Sequence, residues 1–150
     1  MEEIVEFLLK TFEIEKRDVN EFSPLVLAYI GDVVYELIVR TVLVSKGNRP
    51  VNKLNNEATS LVKAGAQASI LKLIKPDLSD EELRIFKRGR NSSPHTIAKN
   101  AGMSDYKYAT GFECLVGYLY LDNNFKRALD LVRIGMERFM ADCVEQKTDE

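Results

Sequence analysis

The stretch "LAYIGDVVYELIVR", residues 27–40, decides how the chain is read. Its apolar residues recur at helical spacing: Leu27, Ile30, Val34, Leu37 and Ile38, with Thr41 beyond, form one stripe. Ala28, Asp32, Glu36 and Val39 lie on a face turned away from it, and Tyr29 and Tyr35 flank Asp32. Both faces are largely apolar, so the stretch predicts a central helix. Gly31 and Asp32 sit in its middle, although both weaken helices and an aspartate resists burial. A glycine there admits the close approach of another backbone or a ligand. Asp32 either accepts a local hydrogen bond or holds something in a cleft beside the small Ala28.

Ser23 and Pro24 supply the cap and the first-turn proline of this helix, which runs to about Val44 before the turn "SKGNRP". Residues 2–12 predict a helix of about three turns ahead of it. Pro50 opens a third helix over 51–74, which Pro76 stops, and Ser79 with Glu82 matches a capping box for a short helix to about Gly89. "RNSSPHTIAKNAGMS", residues 90–104, reads as a loop near the upper length for an unstructured connection, which favours a functional role. Ser104 is positioned to cap a helix to about Leu121. "DNN" separates this from a last helix, 125–143, with Leu129, Val132, Met136 and Phe139 as its stripe, and the tail "EQKTDE" is expected to fray. Sustained period-2 alternation and Asn-Gly or Asp-Gly hairpin turns are both missing. The expectation is an all-α chain, one domain over residues 1–150 with six or seven helices.

A chain of 150 residues fits one domain, and 45% hydrophobic with 29% charged residues is ordinary globular composition. No run approaches the roughly 18 apolar residues of a membrane span. The first residues are acidic where a signal peptide is basic, so the expected setting is cytoplasmic, without a membrane. Cys114 and Cys143 belong to no CxxC pair and are expected as reduced core residues; His95 is the single histidine. A zinc-type site is thereby excluded, which leaves carboxylates as ligands. The net charge is −2, yet residues 84–104 hold Arg84, Lys87, Arg88, Arg90 and Lys99 and no acid. This local excess is a candidate phosphate-binding surface, with Asn91 and Asn100 beside it. Basic residues at a helix C-terminus also meet its dipole, so the plainer reading stays open.

"ATGFECLVGYLYL", residues 109–121, repeats the oddity of the first stretch. Glu113 is the one carboxylate in an otherwise apolar helix, with Gly111 and Gly117 on either side. A buried, unpaired carboxylate costs several kcal/mol, so it is protonated, paired or bound to a cation. Two helices, each with one acid beside a glycine, suggest a shared site for a hard cation. Mg²⁺ suits two carboxylates completed by waters and substrate phosphate. A salt bridge to a lysine or arginine is the other reading.

Taken together, "LAYIGDVVYE", "KRGRN" and "YATGFECLVGYLYL" closely resemble Mini-ribonuclease III, a ribonuclease III domain without the double-stranded-RNA-binding domain, over about residues 20–143. The resemblance implies the all-α ribonuclease III endonuclease-domain fold and a homodimer that cuts double-stranded RNA with Mg²⁺. The typical substrate is the 23S ribosomal RNA precursor, the products carry 5′-phosphates, and a ribosomal protein is a possible presenting partner. Asp32 matches the family's metal-binding aspartate and Glu113 its metal-binding glutamate, the two catalytic positions. "KRGRN" matches a basic segment ahead of an RNA-contacting loop, which carries RNA binding to Lys87, Arg88, Arg90, Asn91, Lys99 and Asn100. Ala28 and Thr110 stand where full-length ribonuclease III has a glutamate and an aspartate, a departure in keeping with the Mini branch. Tyr29, Tyr35, Tyr118 and Tyr120 are expected in the core or a dimer interface. Two competing readings are a non-catalytic RNA-binding module of the same fold, and a helical interaction protein whose two acids form internal salt bridges.

Overall fold

The computed structural model describes residues 4–92 and 102–149, and all regular structure among them is helical. The α-helices are α1 (Ile4–Thr11), α2 (Pro24–Ser45), α3 (Val51–Val62), α4 (Ala64–Ile74), α5 (Asp80–Asn91), α6 (Met103–Leu121) and α7 (Phe125–Thr148). Short 3₁₀ turns at Val19–Glu21 and Lys75–Asp77 precede α2 and α5. Two expected helix starts are present. Ser23 Oγ accepts from the Val26 amide at 3.3 Å with Pro24 behind it. At α5, Ser79 Oγ accepts from Glu82 N at 3.1 Å while Glu82 Oε1 accepts from Ser79 N at 2.8 Å.

Three boundaries differ from expectation. Residues 51–74 form two helices because Lys63 is extended (φ −63°, ψ 153°), which turns the chain between α3 and α4. Ser104 is not the cap of α6: Gly102 takes the N-cap position without a side-chain bond. α7 continues to Thr148, so the expected fraying of 145–148 is not observed.

α6 is buried almost all round, from Ala109 to Leu119, and α2, α4, α5 and α7 pack against it. Tyr35 and Phe112 anchor this core, their rings edge to face at 5.1 Å, and the Tyr35 hydroxyl donates to Leu61 O at 2.7 Å. Two expected stripes are displaced. On α2 Leu37 and Thr41 are exposed whereas Ala28, Tyr35 and Val39 are buried, because neighbours cover this helix on more than one side. On α7 Leu129 is exposed, and the buried seam is Ala128, Leu131, Val132 and Gly135. The small Gly135 brings α7 onto Ile70 of α4: a Cβ there would meet Ile70 Cγ2 at 2.6 Å. Cys114 is buried as expected, but Cys143 is exposed on the last turns of α7. Glu82 is nearly buried and accepts from Nε and Nη2 of Arg127, both at 2.9 Å, which pins α5 to α7.

Among the glycine positions, those at the crossing of α2 and α6 leave the least room. A Cβ at Gly31 would lie 1.7 Å from Glu113 O, and one at Gly117 would lie 2.0 Å from Leu27 O. Each obstacle is backbone, so no rotamer change relieves it. Gly31→Ala and Gly117→Ala should each destabilise by at least about 3 kcal/mol, beyond ordinary overpacking. Gly135→Ala meets side-chain methyls that can shift and should cost about 1 kcal/mol. Urea unfolding measures all three, and equal costs would show that the crossing can spread.

Candidate functional site

The glycine crossing sets the geometry of the two acids. Gly31 rests on the Glu113 carbonyl, so Asp32, the next residue of α2, stands beside the α6 turn that carries Glu113. Asp32 is exposed at the rim and Glu113 is half-buried behind it. Among the described residues neither carboxylate forms a salt bridge, which removes the motivation for the internal-salt-bridge reading. Glu36, one turn along α2, is held instead by Arg40 at 2.8 Å.

Electrostatics follow from this placement. Burial pushes the Asp32 carboxyl above its ordinary value, and the charge of Glu36 adds to the effect. Burial and then the charge of Asp32 push Glu113 up to about 7. At neutral pH Glu113 is therefore about half ionised, and among the described residues no cation pairs with either acid.

Gln67 completes this cluster, and the sequence reading missed it. It is 3% exposed on α4. Its Nε2 donates to Val62 O at 2.7 Å, and its amide lowers the Glu113 value a little, favouring the charged carboxylate. Its Oε1 is buried without a donor among the described residues, at a cost of roughly 1–3 kcal/mol unless something donates to it. One feature of the sequence could have drawn attention to it: a carboxamide in the otherwise small and apolar run "AGAQASIL".

The donor set is thus oxygen only: two carboxylates that repel each other and a neutral acceptor in want of a partner. A hydrated hard cation fits all three needs, and Mg²⁺ is characteristically held by one or two carboxylates with waters completing its shell. Among the described residues no group of three or more His, Cys, Asp or Glu side chains is arranged to hold a metal. Ala28 offers no oxygen, and the Thr110 hydroxyl donates to Tyr106 O at 3.0 Å.

The basic residues lie at the C-terminal end of α5. Lys87 and Arg88 are exposed; Arg90 is half-buried, with its guanidinium over the Phe86 ring at 5.6 Å and its Nε donating to Asn91 Oδ1 at 3.3 Å. Arg90, Asn91, Met103, Ser104, Lys107 and Tyr108 line a groove between the end of α5 and the start of α6. Lys107 is an addition from the structure, since it falls just past the acid-free window 84–104. Lys99 and Asn100 lie outside the described residues, as does His95. Arg84 is paired with Glu81 at 3.7 Å. No helix among the described residues is long and apolar enough to cross a membrane.

The raised Glu113 value has a measurable consequence. Without divalent cation, the folded protein keeps a proton up to about pH 7 that the unfolded chain releases near 4.5. Stability should therefore fall as pH rises through this window and stay lower above it. Glu113→Gln should flatten the slope and be more stable than the parent above pH 7. Urea midpoints at pH 5 and 7.5 measure this, and a parent-like slope in the variant would contradict it.

Comparison with known proteins agrees with this architecture. The family model of the ribonuclease III domain matches residues 25–124. Mini-ribonuclease 3 of Clostridium tetani is 46% identical over 123 residues, 81% of this chain and 82% of that protein. Mini-ribonuclease 3 of Thermoanaerobacter sp. is 46% identical over 131 residues, 87% of this chain and 92% of that protein. A crystal structure of a Fusobacterium nucleatum protein superposes with a TM-score of 0.71 at 30% identity, covering 81% of this chain and 97% of that one. The chain belongs to the ribonuclease III family, in its Mini-ribonuclease III branch, and is an endoribonuclease.

Proposed function

We propose that this endoribonuclease hydrolyses double-stranded RNA with Mg²⁺ held by Asp32 and Glu113, and that it acts as a homodimer on the 23S ribosomal RNA precursor in the cytoplasm. The observation that carries the reading is the pair of unneutralised carboxylates across the Gly31–Gly117 crossing. Mg²⁺, when bound, supplies activation and orientation of a water for in-line attack at phosphorus and neutralises charge on the leaving oxygen. Asp32 and Glu113 hold the ion on rigid helices, and no histidine is required as base. Water adds to phosphorus as the P–O3′ bond breaks, which leaves 5′-phosphate and 3′-hydroxyl ends.

Lys87, Arg88 and Arg90 at the end of α5 take duplex phosphates, with Lys107 and Asn91 in the adjoining groove. Lys99 and Asn100 belong to the same basic segment in sequence. Such a surface reads A-form RNA through backbone and 2′-hydroxyls, and base-stacking aromatics are not needed. A net charge of −2 gives little overall attraction to free RNA, which favours a ribosomal protein that presents the precursor.

Support for the homodimer comes from α2. Leu25, Tyr29 and Val33 lie one turn apart on its outer side, with Val26 and Leu37 beside them, and Tyr29 is 80% exposed. A continuous apolar row of this kind marks an interaction surface. A two-fold pair would then present one site to each strand of a duplex.

Two experiments test this reading. Asp32→Asn and Glu113→Gln should fold and lose cleavage of a duplex-containing 23S precursor fragment by at least about a hundredfold, and chelator should silence the parent. Parent-like cleavage by folded Asp32→Asn would remove the metal role, and binding without any cleavage would favour the RNA-binding module. Separately, Tyr29→Asp should sediment as a monomer where the parent sediments as a dimer, and an unchanged mass would move the interface elsewhere.

A further inference from the structure

We propose that Gln67 is a positioning residue for the nuclease site: its carboxamide ties Glu113 of α6 to the break between α3 and α4 and holds the carboxylate in its metal-facing orientation. The inference rests on the proposed metal role of Glu113 and deepens it.

The chain interruption at Lys63 is the starting point. Helical bonding stops there, so Val62 O lacks the amide partner that a continuous helix would give it, and Gln67 Nε2 takes that place at 2.7 Å. A carbonyl only accepts, so the nitrogen end of the carboxamide must face Val62. The side chain is thereby anchored at a fixed point of the backbone, on a helix that packs against α6, and its amide favours the charged form of Glu113. The Gln67 side chain has no room to swing away, being 3% exposed.

A purely structural cap would end there, but it would not explain Oε1. That oxygen is buried with no donor among the described residues. A methionine or leucine at 67 would fill the space without burying an unsatisfied acceptor. The carboxamide makes sense where something that donates, such as the water shell of a cation, comes and goes next to Glu113. Residues that orient a metal ligand from behind typically change metal affinity by 10- to 100-fold when removed.

Mn²⁺, which shares the preference of Mg²⁺ for oxygen ligands, can be titrated into the purified protein without RNA, with free Mn²⁺ followed by electron paramagnetic resonance. The parent should bind, Asp32→Asn should not, and Gln67→Met should bind about tenfold more weakly while its thermal unfolding shows an intact fold. A second measurement needs no variant at position 67. The side-chain ¹⁵N–¹H resonances of Gln67 should shift when Mg²⁺ is added to the parent and stay put in Glu113→Gln. A folded Gln67→Met with parent affinity, or a carboxamide signal indifferent to Mg²⁺ in a parent that binds it, would overturn the positioning role. If Gln67→Met does not fold, the resonance experiment decides alone. A parent that fails to bind Mn²⁺ would instead overturn the metal reading itself, and the role of Gln67 with it.

Discussion

The structure depends on two helix backbones meeting without side chains between them. At Gly31 and Gly117 the α2 and α6 backbones approach so closely that any Cβ would overlap a carbonyl of the other helix. Glycine in a helix interior costs roughly 1 kcal/mol each, a cost that folding would avoid unless the approach itself mattered. What it produces is proximity between Asp32 and Glu113. With ordinary side chains at the crossing the axes would separate to the usual 8–10 Å, and the two acids would part with them. The core is arranged around this contact: Tyr35 and Phe112 lock one side of it, while Phe86 packs against Gly111 on another face of α6.

Holding two acids together is unfavourable for the fold taken alone. The rise of Glu113 to about 7 corresponds to a penalty on the order of 2 kcal/mol for carrying its charge, discounted for its partial exposure. That is a sizeable fraction of the 5–15 kcal/mol by which domains are typically stable. A fold under selection for stability alone would place a cation or an apolar residue there. The buried Glu82, paired twice with Arg127 and held below its ordinary value, shows how this same chain treats an acid whose role is structural.

Much of this was legible in the residues. The periodicity of 27–40 and 109–121 marks central helices, and an acid beside a glycine in each marks the candidate site, because both break the local preferences of a buried helix. Capping at Ser23 and Ser79 is local chemistry and reads directly. The break at Lys63 was not legible: "SLVKAGAQAS" contains no proline, and the turn arises because α4 must pack on α6 and α7 rather than continue α3. The seam of α7 was misread for a related reason. Large apolar residues dominate a periodicity search, yet Ala128 and Gly135 set the line of closest approach. Gln67 gave only the faint signal of a lone carboxamide in an apolar run, without charge pattern or ligand spacing; its burial and its unmatched oxygen single it out.

α2 joins two tasks that could have been separate. One side of it carries Gly31 onto α6 and sets Asp32 beside Glu113, while the outer side carries Tyr29, Val33 and Leu37 into solvent. Asp32 follows Tyr29 by three residues and precedes Val33 by one, so all three are within one helical turn. In the proposed dimer, any shift of α2 against its partner is transmitted to Asp32 directly, since a helix of 22 residues packed along its length moves as a unit. The proposed assembly surface and the proposed metal site therefore share one rigid element. The glycine crossing keeps that element from sliding on α6, so a two-fold partner would fix the spacing of two complete sites and not merely increase their number.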